Sequence, residues 1–109
     1  MLWYLTTSGG VGIITNMNAE VMLKERHALS EDAFVDMTVW RLPSPATGSQ
    51  HDFKYRLALV LLGLCVLRYD HEQGKGDHKH IGNNEMPYTF TTPQALLDDF
   101  WNDVDSWRT

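Results

Sequence analysis

Phe53-Lys54-Tyr55-Arg56-Leu57-Ala58-Leu59-Val60-Leu61-Leu62-Gly63-Leu64-Cys65-Val66-Leu67-Arg68-Tyr69-Asp70 is the stretch on which the fold turns. Two strand candidates, Phe53 to Leu61 and Leu64 to Asp70, meet at Leu62-Gly63, and a two-residue loop there fixes which residues stand opposite each other. In that register Arg56 faces Tyr69, Lys54 faces His71, Tyr55 faces Asp70 and Leu59 faces Val66. Opposed residues share a face of the sheet. The end of the hairpin away from its turn is therefore expected to gather Lys54, Arg56, Tyr69 and His71 on one surface. Leu62-Gly63 is an apolar pair for so tight a turn, and a slip of one residue would send every partner to the other face.

Two further strands are expected upstream. Ala19, Val21 and Leu23 alternate with Glu20, Met22, Lys24 and Arg26; after a polar break at Ser30-Glu31-Asp32, Val35, Met37 and Val39 alternate with Phe34, Asp36, Thr38 and Trp40. That period of two marks half-buried strands, paired as an antiparallel hairpin. Residues 42–50, with two prolines and a glycine, read as a surface loop. Downstream, Thr92 is a suitable N-cap and Pro93 a suitable first helical residue. Leu96, Leu97, Phe100, Trp101, Val104 and Trp107 then recur at helical spacing, opposite Asp98, Asp99, Asn102 and Asp103. The expectation is an α+β fold: an antiparallel sheet of at least four strands in ββββα order, with a C-terminal amphipathic helix packed on one face.

The chain's 109 residues suffice for one core. Residues 17–109 read as a single domain and residues 1–16 as an N-terminal extension, with Met17 a candidate natural start. That apolar extension has no basic leading segment and falls short of the roughly 18 apolar residues of a membrane span, so neither a signal nor an anchor is expected. A formal net charge of -5 argues against broad, sequence-blind adhesion to nucleic acid. The charge is uneven, however: residues 93–107 hold four Asp and no Lys or Arg, whereas residues 51–80 hold five cations, four acids and four His. Cys65 is the single cysteine, which excludes an internal disulfide and suits a reducing compartment.

The chemistry concentrates in Arg68-Tyr69-Asp70-His71-Glu72-Gln73-Gly74-Lys75-Gly76-Asp77-His78-Lys79-His80. Imidazoles exchange protons near neutrality, so His78 and His80 beside Asp77 offer acid, base and orienting carboxylate together. Gly74 and Gly76 let the backbone turn or approach a ligand closely, and Lys75 between them can meet an anion. The segment 71–80 reads as a loop at a sheet edge, and residues 81–85 as a polar turn. Cleaving RNA without a metal takes a base for the 2′-hydroxyl, an acid for the leaving oxygen and cations for the phosphorane. His78, His80, Lys75 and Arg56 can fill those roles. The plain alternative is a solvated polar turn whose charges pair locally. Tyr55 and Cys65 read as core, and His27 and His51 as surface histidines.

Taken together, Trp40-Arg41-x-Pro43, Lys54-Tyr55-Arg56, Tyr69-Asp70-x-Glu72, Gly74-Lys75-Gly76-Asp77-His78-x-His80 and Leu97-x-x-Phe100-Trp101 resemble the TumE family of prokaryotic toxin–antitoxin proteins. The likeness runs from about Ala19 to Arg108. It implies a small cytoplasmic toxin encoded beside a winged-helix DNA-binding antitoxin that neutralises it. The chain departs from the family pattern at His71, where Asn is usual, at the apolar Leu62-Gly63-Leu64 turn, and over residues 1–16.

The sequence thus leads to an RNA-cleaving toxin with no cofactor and no resident metal. His78 and His80 are its acid–base pair and Asp77 orients one imidazole, while Lys75, Arg56, Lys54, Tyr69, Asp70, Gly74 and Gly76 form the substrate and phosphate contacts. Two alternatives stand beside it: a non-enzymatic protein that binds a DNA-binding antitoxin, and a metal-dependent nuclease using Asp77, His78 and His80.

Overall fold

The computed structural model describes residues 19–45, 49–72 and 74–108. The extension expected over residues 1–16 lies outside them. Six strands form one antiparallel sheet: β1 (Glu20–Ser30), β2 (Ala33–Arg41), β3 (Phe53–Leu61), β4 (Leu64–Glu72), β5 (Gly76–Ile81) and β6 (Asn84–Pro87), followed by α1 (Pro93–Arg108). Their spatial order is their chain order, a meander. The expected α+β architecture is present, with four strands and the covering helix where the alternation put them.

Two strands lie where a loop and a polar turn were expected. His71 and Glu72 end β4, and residues 76–81 return as β5 beside it, with His71 opposite Asp77 and Asp70 opposite His78. The reversal uses positive φ at Gly74 (85°) and Gly76 (82°), and Lys75 N–H donates to the Glu72 carbonyl at 3.0 Å. The density of charge and glycine hid a strand whose alternation is intact. Strand β6 then covers β5, so the segment is one strand in from the sheet edge.

The core lies between the sheet and α1. Val35, Met37, Val39, Tyr55, Leu57, Leu59, Leu67 and Tyr69 pack against Leu96, Phe100 and Val104 of the helix. Each large apolar side chain fully removed from water contributes about 1.5–3 kcal/mol. Thr92 caps α1 as expected: its Oγ1 accepts the Ala95 amide at 3.1 Å, and its carbonyl accepts the Leu96 amide at 3.0 Å.

The expected β3–β4 register holds beside the turn, where Leu61 faces Leu64 and Val60 faces Cys65. It then fails by one residue, because a bulge between Leu59 and Val60 leaves Val66 unpaired and sets Leu59 opposite Leu67, Leu57 opposite Tyr69 and Arg56 opposite Asp70. The cause is the core. Without the extra residue Leu57 would face Arg68, and a guanidinium would point under the helix. The expected surface grouping of Lys54, Arg56, Tyr69 and His71 is thereby split, with Tyr69 and His71 buried on the helix side. Cys65, expected in the core, is exposed.

Leu62 and Gly63 both have positive φ, 50° and 78°, as a type I′ turn requires. Leucine is an unfavourable residue there, and its side chain is 76% exposed. Leu62→Asn, which tolerates that conformation, should stabilise the fold by about 0.5–1 kcal/mol in urea denaturation. A loss of stability would mean that Leu62 makes a packing contribution the exposed turn does not suggest.

Candidate functional site

Strand alternation divides the chemistry-bearing residues between two surfaces. On the face away from α1, one row of paired positions runs Lys24, Thr38, Arg56, Asp70, His78, and the next runs Arg26, Asp36, Ala58, Arg68, His80, Glu85. His78 and His80 stand two residues apart on β5, with ring centroids 6.4 Å from each other. Arg68 reaches His80 from β4, and Arg56 on β3 faces Asp70, the cross-strand partner of His78. A hollow of about 350 Å³ lies over this face, lined by Lys24, Arg26, Phe34, Asp36, Thr38 and Arg56 among others. A second, of about 320 Å³, is lined by Trp40, Lys54, Arg56, Arg68, Asp70 and Glu72 among others. Arg56 borders both. Across an acidic chain, then, five cations from β1, β3 and β4 share one sheet face with two histidines.

Local pairing defines the state of these groups. Asp70 Oδ2 is 3.0 Å from Arg68 Nε and 4.0 Å from Arg56 Nη1, so one carboxylate sits between two guanidinium groups. The shorter contact lacks hydrogen-bond alignment, since Arg68 Nε is buried without a partner. Arg68 Nη2 donates instead to His80 Nε2 at 2.9 Å. A guanidinium has no acceptor, so the His80 lone pair is on Nε2. Glu85, which sequence reasoning passed over as part of a turn, is the carboxylate nearest both rings: its Oε2 is 3.5 Å from His78 Nε2 and 3.8 Å from His80 Nε2. At His80 the 2.9 Å guanidinium contact governs, because one lone pair cannot also present a proton to Glu85. Lys75 Nζ is 3.1 Å from the same carboxylate oxygen. The hydrogen bond from Lys75 holds the Glu85 carboxyl below its usual range and in turn raises the Lys75 ammonium.

Asp77, expected to orient one of these imidazoles, points to the helix side. Its carboxylate oxygens are 2.9 and 3.0 Å from His51 Nε2. His51 Nδ1 accepts the Phe53 amide at 3.1 Å, which places the ring proton on Nε2, donating to Asp77. His51 is thus no surface histidine; its ring lies 4.1 Å from that of Phe90 and its side chain is 17% exposed. His71 Nε2, 3.8 Å from Asp77 Oδ1, is buried with no hydrogen-bond partner, as is the Tyr55 hydroxyl nearby. Burial pushes the Tyr55 hydroxyl up and the His71 ring down, the latter against an opposing pull from Asp77. Because Asp77 and the pair His78 and His80 occupy opposite faces, they do not converge as a metal triad. Among the described residues, the cluster whose donor atoms do converge is His51, His71 and Asp77.

Tyr69 completes the helix side. Its hydroxyl donates to the Asp103 carboxylate, and Lys79 Nζ reaches the same carboxylate at 3.2 Å. That arrangement ties α1 to β4 and β5, and takes Tyr69 away from any ligand on the open face. The signal for both shared faces was present in the sequence as period-two alternation through residues 76–81; the positive φ of two glycines, which creates the return strand, was not.

His71 generates a pH prediction. Unfolded, the ring protonates at its ordinary value of 6.5, whereas burial keeps the native ring neutral to lower pH. The unfolded chain therefore binds more protons below pH 6.5, and stability is lost as pH falls through that window. Urea midpoints at about pH 7.5 and about pH 5.5 should fall further for wild type than for His71→Asn. Equal falls would show that the buried ring does not resist protonation.

No curated protein and no solved structure matches the chain. No described helix is long and apolar enough to cross a membrane. A family model does match, that of Toxin TumE, over residues 16–108. That span takes in all six strands, the helix and both histidine clusters, and on it the chain belongs to the TumE toxin family, toxins of toxin–antitoxin systems.

Proposed function

We propose that this toxin cleaves RNA by metal-independent acid–base chemistry on the open sheet face, with His78 and His80 as the catalytic pair. The observation that carries the reading is their placement side by side on β5, 6.4 Å between ring centroids, with Arg68 bonded to His80 and Arg56 on the same face beyond Asp70. A phosphodiester set between two imidazoles and two guanidinium groups has a base, an acid and charge stabilisation within reach.

The neighbours of the two rings suit different roles. His80, whose Nε2 carries a lone pair, is the base; when Arg68 turns to the phosphate, that nitrogen is released to take the 2′-hydroxyl proton. The 2′-oxygen bonds to phosphorus, the bond to the 5′-oxygen breaks, and His78 supplies the proton that the leaving oxygen takes. Glu85 beside His78 Nε2 suits a ring bearing its proton there, and Lys75 keeps Glu85 ionised. Lys24, Arg26 and Lys54 extend the cationic surface, with Arg26 held 4.3 Å over the Phe34 ring and Lys54 5.5 Å over the Trp40 ring. Glu85 takes the orienting role that Asp77 held in the sequence reading. The antitoxin is proposed to be a winged-helix DNA-binding protein, and the setting the cytoplasm.

His78→Ala and His80→Ala should each lower cleavage of labelled total RNA by about 100-fold or more, in the presence of EDTA, without changing the urea midpoint. Glu85→Gln should shift the alkaline limb of the pH–rate profile to lower pH and retain measurable cleavage. A folded wild type that leaves RNA intact over a wide concentration range would overturn the enzymatic reading and favour a protein that acts by binding alone.

A further inference from the structure

We propose that His51, His71 and Asp77 form a binding site for a divalent transition-metal ion of the zinc class, on the helix side of the sheet and separate from the open-face histidines. The three donors come from three segments: the approach to β3, the end of β4 and the start of β5. His71 and Asp77 are cross-strand partners, and His51 is brought over them by its contact with the carboxylate. All three donor atoms lie within 4.8 Å of one another. Tetrahedral zinc with bonds of about 2.1 Å holds its donors about 3.4 Å apart. The distances to Asp77 Oδ1, 3.0 Å from His51 Nε2 and 3.8 Å from His71 Nε2, bracket that value, and the two nitrogens lie within 4.8 Å of each other, so side-chain rotations bring the three donors onto one ion.

An independent observation points to a ligand. His71 is 5% exposed, and its Nε2 faces Asp77 with no hydrogen-bond partner. Buried polar atoms without partners are rare in native proteins and need an explanation. Two imidazoles and a carboxylate favour zinc, cobalt, nickel or ferrous iron over magnesium or calcium, which prefer all-oxygen shells. The cluster borders a hollow of about 310 Å³ with Ser49, Gln50 and Thr89 on its wall, leaving room for a fourth ligand such as water.

The metal-free arrangement sets the strength. His51 presents a proton on Nε2 while its Nδ1 accepts the Phe53 amide. Binding exchanges that Nε2 proton for the metal and moves a proton to Nδ1, which must then leave the amide for another acceptor. Both hydrogen bonds of the ring are given up, the Nε2–H to Asp77 and the Phe53 amide to Nδ1, weakening the site roughly tenfold for each against a preorganised centre. The bound ion would tie the segment before β3 to the β4–β5 hairpin.

The test uses the full chain with Cys65→Ser, which removes the exposed thiol as a competing ligand, stripped with chelator and titrated with Zn²⁺ and Co²⁺. Calorimetry should give one ion per chain, Co²⁺ should develop visible absorption of low coordination number, and Zn²⁺ should raise the melting temperature. His71→Asn and Asp77→Asn should each weaken binding about 30-fold or more while staying folded, and His78→Ala with His80→Ala should leave it unchanged. A folded chain that takes up no stoichiometric metal overturns the proposal and leaves the cluster as a water-filled pocket. Binding that survives His71→Asn and disappears with the open-face pair also overturns it. Neither result bears on RNA cleavage, since the two sites share no residue.

Discussion

The bulge at Val66 allows β4 to satisfy two conflicting demands. Beside the turn its residues follow a two-residue loop; further along, Leu67 and Tyr69 must meet Leu59 and Leu57 beneath the helix. Inserting one residue changes the parity of everything after it, through β4 and, by pairing, through β5 and β6. Arg68 and Asp70 are thus delivered to the open face, with His78 and His80 beside them, while His71 and Asp77 go under the helix side. Packing of apolar side chains therefore decides which titratable groups can cooperate. Both histidine clusters are consequences of that one irregularity.

The division also reconciles an acidic chain with the polyanionic substrate proposed for it. Negative charge is concentrated on α1, where Asp98, Asp99 and Asp103 are occupied by Gln94, by Tyr88 and by Tyr69 with Lys79. The sheet intervenes between that helix and the cations of the open face. Net charge is a property of the whole surface, but an approaching phosphate responds to the groups within about a Debye length, roughly 8–10 Å. A protein of this composition can hold a local cationic surface without adhering to nucleic acid in general.

Alternation in residues 19–41 and 53–70, the Thr92-Pro93 start and the spacing of Leu96, Phe100 and Val104 made four strands and the helix legible in the sequence. These are local or periodic features, written in every few residues. The strands β5 and β6 were not read, because Gly74, Gly76 and a dense run of charges resemble a loop in composition, and only pairing with β4 makes them strand. The Val66 bulge was equally hidden: it answers a packing requirement across the sheet that no window of sequence contains. The site inherited both gaps. His78, His80 and Arg56 share a face as their spacing allows, whereas Glu85 and His51 become visible only when distant segments are brought together.

The meander order has a consequence for how the chain comes into being. Every strand pairs with its neighbour in sequence, so the sheet can grow one hairpin at a time from its N-terminal side as the chain leaves the ribosome. The helix that covers its apolar face follows all six strands in the chain. Until residues 93–108 emerge, Leu57, Leu59 and Leu67 have no cover, and a chain halted before them would present a bare apolar sheet to chaperones and proteases. The core therefore closes only when the helix joins the sheet, and the order of the elements sets how long that apolar face stays bare during synthesis.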